Sequence, residues 1–270
     1  MLCFPNCKIN LGLSVTKRRN DGYHDIETVF YPLQLNDVLE IVPAGDPELH
    51  QTGLTVAGSS KDNLVWKAYE LLATHYPGKI PKLDIFLHKV IPMGAGLGGG
   101  SADGAFMLRL LSNYCDLRLT DHQLAAFALQ LGSDCPFFIY NKPCFASGRG
   151  EQMSEIPIDL AAYSIQLISP KVHVATGAAF QMLTPHPAAF DLRLLHTLPV
   201  KEWKEKITND FEIPVFSVHP SLAVIKQELY DQGAVYAAMS GSGSSVFGIF
   251  PKSKKALINV DVEYSSFYIE

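Results

Sequence analysis

A glycine-rich loop between Pro92 and Ala105 constrains this chain more than any other feature. It reads PMGAGLGGGSADGA, with five glycines in seven residues. The apolar, β-branched segment 83–91 before it predicts a strand, and the Ala- and Leu-rich segment 101–114 after it predicts a helix. Backbone N–H groups that converge on a helix N-terminus suit an anion, above all a nucleotide phosphate. The sequence therefore predicts a phosphate-binding loop between a strand and a helix.

Two well-known glycine patterns compete for this loop. The spacing GxGxxG that begins at Gly94 fits a dinucleotide-binding fold, which needs a parallel strand after the helix. A second helix is predicted there instead, opened by a capping box of Thr120 and Gln123. The P-loop pattern fails because Gly100 stands where its phosphate-binding lysine must be. Both patterns are disfavoured, and a loop that merely turns the chain is the minor alternative.

The N-terminal segment offers the missing cation. In NCKINLGLSV, apolar residues alternate with Lys8, Asn10, Gly12 and Ser14, which predicts a half-buried strand with Lys8 and Asn10 on its polar face. A lone lysine in such a strand is more often a solvated surface charge. The other motifs of the chain favour the functional interpretation.

Composition excludes several classes of protein. A length of 270 residues with 47% hydrophobic content suffices for two modest domains. A net charge of −5 argues against a general nucleic-acid binder. No apolar run reaches a membrane span and the first residues lack a secretory pattern, so we expect a cytoplasmic protein. Five cysteines without CxxC spacing predict reduced thiols rather than disulfides or a zinc site.

The chain resembles the GHMP kinase superfamily over almost its whole length. The resemblance rests on KINL at 8–11, DGYH at 21–24, the glycine loop at 92–102, GSDCPFF at 132–138 and MSGSG at 239–243. Within the superfamily, the DGYH element restricts the resemblance to kinases that act on a cytidylylated substrate. Cys7, where the family commonly has alanine, and Ala102-Asp103-Gly104 depart from its pattern, but neither removes a reactive group.

The resemblance implies an α+β fold with two domains. Residues 1–153 would form a mixed α/β nucleotide-binding domain and residues 154–270 a ferredoxin-like substrate-binding domain, divided after the turn-rich segment 146–150. It implies ATP and Mg²⁺ as cofactors, with no metal-ligand set in the protein. The implied activity is phosphorylation of the 2-hydroxyl of cytidine diphosphate methylerythritol, in the non-mevalonate route to isopentenyl diphosphate. We expect this small molecule to be the only kind of partner, with neither nucleic acid nor a membrane bound. We expect the protein itself to be a monomer or a weak homodimer.

The resemblance also implies three groups of site residues. The catalytic residues would be Lys8 and Asp134, with Asp134 as the base. The ATP-binding residues would be Asn63, Lys89, Pro92, Met93, Gly94, Ala95, Gly96, Leu97, Gly98, Gly99, Gly100, Ser101 and Ala102. The substrate-binding residues would be Asn10, Tyr23, His24, Phe180, Gly241, Ser242 and Gly243, with Tyr23, His24 and Phe180 on the cytosine.

Structural alternatives remain for most of these residues. Asp134 and Ser101 are as well suited to helix N-caps, and Lys89 to a solvated surface position. Tyr23 and His24 would pack behind a turn, and the segment SGSGSS at 240–245 has the composition of a flexible linker. Two other functions also stay open: a homoserine or mevalonate kinase of the same superfamily, and a nucleotide- or RNA-binding protein without catalysis.

Overall fold

The computed structural model describes residues 1–56, 58–252 and 254–270. The strands are β1 (Leu2–Cys3), β2 (Asn6–Arg18), β3 (His24–Asn36), β4 (Val38–Pro43), β5 (Leu49–Gly53), β6 (Leu83–Lys89), β7 (Cys144–Ser147), β8 (Gln152–Glu155), β9 (Tyr163–Pro170), β10 (Tyr236–Met239), β11 (Val246–Pro251) and β12 (Tyr264–Ile269). The α-helices are α1 (Leu64–His75), α2 (Gly99–Tyr114), α3 (Asp121–Leu131), α4 (Cys135–Tyr140), α5 (Thr176–Gln181), α6 (Trp203–Lys206), α7 (Glu212–Val218) and α8 (Pro220–Asp231). Short 3₁₀ turns lie at Ser60–Asp62, Leu192–Thr197 and Val200–Glu202.

The chain forms two compact units, of which the first comprises Met1–Lys8, Gln34–Met93 and Gly98–Lys142. Its sheet has the order β1-β4-β6-β5, in which β6 pairs antiparallel with β4 and parallel with β5. Helix α2 packs against α1, α3 and α4. Because β6 ends just before the glycine loop and α2 begins within it, the predicted strand, loop and helix are confirmed.

The second unit comprises Ile9–Leu33, Gly94–Leu97 and Pro143–Glu270. Its antiparallel sheet has the order β10-β11-β9-β12, the arrangement of a ferredoxin-like layer. Helix α8 packs on β10 and β11 and buries Leu222, Ile225 and Leu229. A further sheet has the order β2-β3-β7-β8. Mixed helices and sheets confirm the predicted α+β class.

Local predictions hold with small shifts at the ends of elements. Helix α2 begins at Gly99 rather than at residue 101, and β6 ends at Lys89 rather than at residue 91. The capping box of Thr120 and Gln123 is present at the start of α3. The prediction of a half-buried N-terminal strand is wrong, because β2 is buried on both faces from residue 6 to residue 15. Lys8 and Asn10 are therefore both buried polar residues.

The predicted domain boundary between residues 153 and 154 stays a prediction. By contacts, residues 9–33 and 94–97 group with the segment from residue 143 onward. All five cysteines are free thiols, as expected from their spacing. Within the described parts of the chain, no helix has the length and apolar character needed to cross a membrane.

Candidate active site

The backbone of the glycine loop adopts conformations that favour glycine. Gly94, Gly96 and Gly98 have φ angles of +64°, +78° and +70°. L-residues rarely adopt this left-handed region. At Gly96 an added Cβ would also lie 1.9 Å from the carbonyl oxygen of Ser240. The glycine at position 96 is therefore required by both its conformation and its neighbour.

The segment 240–245 packs against the first half of the glycine loop, within the second unit. The hydroxyl of Ser240 donates to the carbonyl of Gly96 at 2.8 Å. The backbone N–H of Ser245 donates to the carbonyl of Ala95 at 3.1 Å. Ser240, Ser244 and Ser245 are at most 1% exposed. The flexible-linker alternative for this segment is therefore wrong.

Asn209 holds this second loop in place, and the sequence analysis did not single it out. Its Nδ2 donates to the carbonyls of Met239 and Gly241, each at 2.8 Å. Its Oδ1 accepts from the backbone N–H of Phe211 at 3.0 Å. The side chain is buried and uses both ends of its amide on backbone groups, so it is a positioning residue for the loop. The only local sequence signal is an Asn-Asp pair, which equally indicates an ordinary turn.

Lys8 and Asp134 form an ion pair in the first unit. The Nζ of Lys8 lies 3.6 Å from Oδ2 of Asp134, and the two side chains are 5% and 35% exposed. Burial lowers the pKa of Lys8, and the negative charge of Asp134 opposes that effect. A Cβ placed on Gly98 would lie 3.3 Å from Cε of Lys8, so the lysine runs beside the glycine loop. The pair thus combines a partly exposed carboxylate with a cation next to the predicted phosphate site.

Neither Asp134 nor Ser101 caps a helix through its side chain. Asp134 occupies the N-cap position of α4, but its side chain makes no capping hydrogen bond. The N-cap of α2 is Gly98, and Ser101 lies inside the helix. The carboxylate of Asp134 is therefore not used to complete a helix terminus.

Lys89 is buried in the first unit and pairs with two carboxylates. Its Nζ contacts Oδ2 of Asp37 and lies 2.6 Å from Oδ2 of Asp103 on α2. The other oxygen of Asp37 accepts from the N–H groups of Val90 and Ile91, at 2.6 and 2.9 Å. Burial raises the pKa of Asp103 to about 8, although Lys89 opposes this shift. The solvated-surface alternative for Lys89 is wrong, and its contact with a nucleotide stays a prediction.

A cavity of about 200 Å³ in the first unit borders several predicted ATP-binding residues. Its lining consists of Val56, Asp62, Asn63, Leu64, Lys89, Met93, Gly100 and Asp103. Asn63 is the N-cap of α1, with its Oδ1 accepting from the N–H of Val65 at 2.9 Å. A pocket with apolar walls and a few polar groups suits a planar base.

Two of the predicted substrate-binding segments meet in the interior of the second unit. The Nδ2 of Asn10 donates to Oγ1 of Thr28 at 2.9 Å. Its backbone N–H donates to the hydroxyl of Ser240 at 3.3 Å. A Cβ on Gly241 would lie 3.4 Å from Oδ1 of Asn10. Ser242 and Thr176 share a hydrogen bond of 3.0 Å between their hydroxyls.

The three predicted cytosine-binding rings are arranged differently from a simple sandwich. The ring of His24 stacks on Phe180, with 4.8 Å between centroids and 15° between planes. Phe211 meets the edge of the same phenyl ring. Tyr23 is 56% exposed and is not part of that stack. A base that stacks on this face of Phe180 must therefore take the place of the imidazole.

Comparisons with known proteins agree with the geometry. The model of the GHMP kinases N terminal domain matches residues 63–142, and that of the GHMP kinases C terminal domain matches residues 192–260. The chain is 52% identical to the 4-diphosphocytidyl-2-C-methyl-D-erythritol kinase of Parabacteroides distasonis, over 93% of this chain and 92% of that protein. It is 51% identical to the enzyme of the same name from Bacteroides fragilis, over 94% of each.

Solved structures of kinases have the same fold as this chain. A crystal structure of 4-(cytidine 5'-diphospho)-2C-methyl-D-erythritol kinase superposes with a TM-score of 0.78 at 31% identity, over 92% of this chain and 90% of that one. A homoserine kinase from Cytophaga hutchinsonii superposes with a TM-score of 0.70 at 16% identity, over 98% of this chain and 95% of that one. The second likeness shows the shared fold alone.

Proposed function

Because the chain belongs to the GHMP kinases, and among them to the 4-diphosphocytidyl-2-C-methyl-D-erythritol kinases, we propose that it phosphorylates that cytidylylated alcohol with ATP. The 2-hydroxyl of the alcohol accepts the phosphoryl group. This reaction is a step of the non-mevalonate route to isopentenyl diphosphate. The observation that carries the proposal is the ion pair of Lys8 and Asp134 beside the glycine loop. The two-domain GHMP kinase fold expected from the motifs is confirmed by the family membership.

Phosphoryl transfer depends on positioning and on charge rather than on covalent chemistry by the protein. In this proposal, Asp134 accepts the proton of the 2-hydroxyl as the hydroxyl oxygen attacks the γ-phosphorus of ATP, and the bond from that phosphorus to the β,γ-bridging oxygen breaks to release ADP. The ammonium of Lys8 pairs with the carboxylate of Asp134 and offsets charge on the transferring phosphoryl group. The 3.6 Å separation and the lack of a capping bond on Asp134 support this division of roles.

The glycine loop would cradle the phosphates of ATP, and the cavity bordered by Asn63 and Lys89 would hold its base. Mg²⁺ prefers oxygen ligands, and proteins usually bind it through one or two carboxylates together with the phosphates of the substrate. The partly exposed carboxylate of Asp134 and the hydroxyl of Ser101, in the first turn of α2, offer oxygen atoms that would hold such an ion together with the phosphates. Among the described residues, no three His, Cys, Asp or Glu side chains cluster as ligands. The ion, when bound, offsets negative charge on the phosphates.

A substrate assay tests the proposed function directly. We expect the purified chain to consume ATP with the cytidylylated methylerythritol at least a hundred times faster, in kcat/KM, than with homoserine or mevalonate, about 2.7 kcal/mol of discrimination. Free cytidine diphosphate should inhibit in competition with the alcohol and not with ATP. Comparable rates with homoserine or mevalonate would assign the chain to another branch, and ATP binding without turnover would refute catalysis.

Substitution of Tyr23 tests recognition of the cytosine. Tyr23 has an exposed ring, and loss of a base stack costs about 1–3 kcal/mol. In Tyr23→Ala we therefore expect the KM for the cytidylylated substrate to rise roughly five- to hundredfold, with little change in the KM for ATP. Steady-state kinetics with each substrate varied in turn measures both constants. Tyr268, which is 37% exposed on β12, gives the control variant Tyr268→Ala. Equal damage to both constants in Tyr23→Ala would indicate a structural role.

A further inference from the structure

Arg149 covers one face of the Tyr23 ring. Its Cζ lies 4.7 Å from the ring centroid, the geometry of a cation–π contact. More than half of the tyrosine surface nevertheless remains exposed, at 56%. The ring is therefore supported by a cation and still accessible to a ligand.

The backbone that carries Tyr23 is fixed by the hairpin turn between β2 and β3. The carboxylate of Asp21 accepts from the N–H of Tyr23 at 3.1 Å and from Nε of Arg19. The N–H of Arg19 donates to the carbonyl of Tyr23 at 2.8 Å. Gly22 supplies the positive φ of +85° that this turn requires. The turn fixes the main chain, whereas the side chain of Tyr23 depends on what lies against it.

Arg149 is held by an equally well-defined turn between β7 and β8. Gly148 and Gly150 have φ angles of +68° and +107°. The carboxylate of Glu151 accepts from the N–H of Arg149 at 2.6 Å. The carbonyl of Gly148 accepts from the N–H of Ile26 at 2.7 Å, which ties this turn to β3 three residues after Tyr23. Two separate parts of the chain are thus arranged to bring the guanidinium over the ring.

We propose that Arg149 is a positioning residue that holds the ring of Tyr23 in the orientation that stacks on the cytosine. The proposal rests on the proposed function, in which Tyr23 binds that base. An exposed tyrosine without a supporting neighbour samples several rotamers, and binding must then order it. The guanidinium reduces that cost before the ligand arrives. It contributes to affinity for the cytidylylated substrate and leaves the chemical step alone.

Binding of cytidine diphosphate to the full-length protein tests the proposal. In Arg149→Met, which keeps an unbranched, flexible stem and removes the guanidinium, we expect the Kd for cytidine diphosphate to rise roughly three- to tenfold. Arg149→Lys retains a cation and should recover most of this loss. The Kd for a non-hydrolysable ATP analogue and the value of kcat should stay within about twofold of the parent in both variants. Lys204→Met is the matched control, because it removes a cation that lies 4.3 Å from the ring centroid of Tyr230.

A double variant separates positioning from direct contact with the substrate. If Arg149 acts through the ring, Arg149→Met should add almost nothing to the loss in Tyr23→Ala. Additive losses would overturn the proposal, because they mean that the guanidinium binds the substrate itself. Unchanged affinity in Arg149→Met beside a weakened Tyr23→Ala would overturn it as well. Full affinity in Tyr23→Ala would instead refute the role of Tyr23 in the proposed function. Thermal unfolding of each variant shows whether the fold is retained.

Discussion

Replacing Asp134 by asparagine is expected to lower turnover by roughly 10²–10⁴ while ATP affinity stays nearly unchanged. Asparagine has the same shape and serves as well as aspartate at an N-cap position. The fold should therefore survive, all the more because the Asp134 side chain makes no capping hydrogen bond. What the substitution removes is a proton acceptor and a negative charge 3.6 Å from Lys8. Rapid-quench turnover measurements together with calorimetric ATP binding provide the two readouts.

One control variant and one double variant accompany this measurement. Asp46→Asn removes an exposed carboxylate that pairs with Lys82 at 3.1 Å, and it should keep normal turnover. Lys8→Met should also impair turnover. If Lys8 and Asp134 act as one unit, the double variant will be barely slower than the slower single variant. Normal turnover in folded Asp134→Asn would refute the mechanism, whereas fully additive losses would refute only the coupling of the pair.

The pH dependence of Asp134→Asn distinguishes a base from a charge partner. Burial lowers the pKa of Lys8, and Asp134 opposes the shift, so the substitution should lower that pKa further. A lysine with a lowered pKa loses its proton as the pH rises. If neutral Lys8 were the whole cause of the defect, activity would recover as the pH is decreased. We expect the defect to persist across the pH range in which the fold is stable, because the proton acceptor itself is missing.

Replacing Gly100 by valine is expected to weaken ATP binding by about five- to 150-fold, which corresponds to about 1–3 kcal/mol of overpacking. Gly100 borders the cavity, and an added Cβ would find its nearest neighbour, Cε of Met93, at 3.9 Å. The protein itself therefore has room for the side chain, and a loss of ATP affinity would report a clash with the bound nucleotide rather than a distorted fold. Gly98 and Gly99 are poorer test positions, because a Cβ there would lie 2.9 Å from Phe138 and 2.8 Å from Ile91.

Binding and stability should separate in this experiment. Position 100 lies in the first turn of α2, where a residue other than glycine loses less backbone entropy. The free energy of unfolding of Gly100→Val should therefore stay within about 0.5 kcal/mol of the parent. Gly45→Val is the control, since Gly45 has no heavy atom within 4 Å of an added Cβ. A stable Gly100→Val protein with normal ATP affinity would mean that the loop does not hold the phosphates.

Features set by local chemistry were predictable from the sequence. The strand, glycine loop and helix of segment 83–114 and the capping box of Thr120 and Gln123 depend on neighbours within a few residues. The alternation in β2 correctly predicted a strand but not its burial. Alternation indicates which residues share a face, and it does not say whether a second layer covers the polar one.

The features that sequence reasoning missed depend on partners far along the chain. From the sequence, Lys89 is expected to be a surface charge. In the structure its ammonium contacts Asp37, which is 52 residues away along the chain. Asn209 is a positioning residue because it donates to the carbonyls of Met239 and Gly241. These two residues follow it by 30 and 32 positions in the sequence. No periodicity or short motif reports such encounters. A single sequence gives the chemistry of each group and leaves its partner open.

Strand β2 leaves the ribosome long before some of its partners are synthesised. The N–H of Val15 donates to Asp210, 195 residues later, at 2.7 Å. At 5–20 residues per second, about 10–40 s of synthesis separate the two. Leu13 and Val15 are core residues of the second unit, so the nascent chain exposes an apolar strand edge throughout that interval. A truncated product that ends before residue 186 keeps this edge unpaired, which makes it a target for chaperones and proteases.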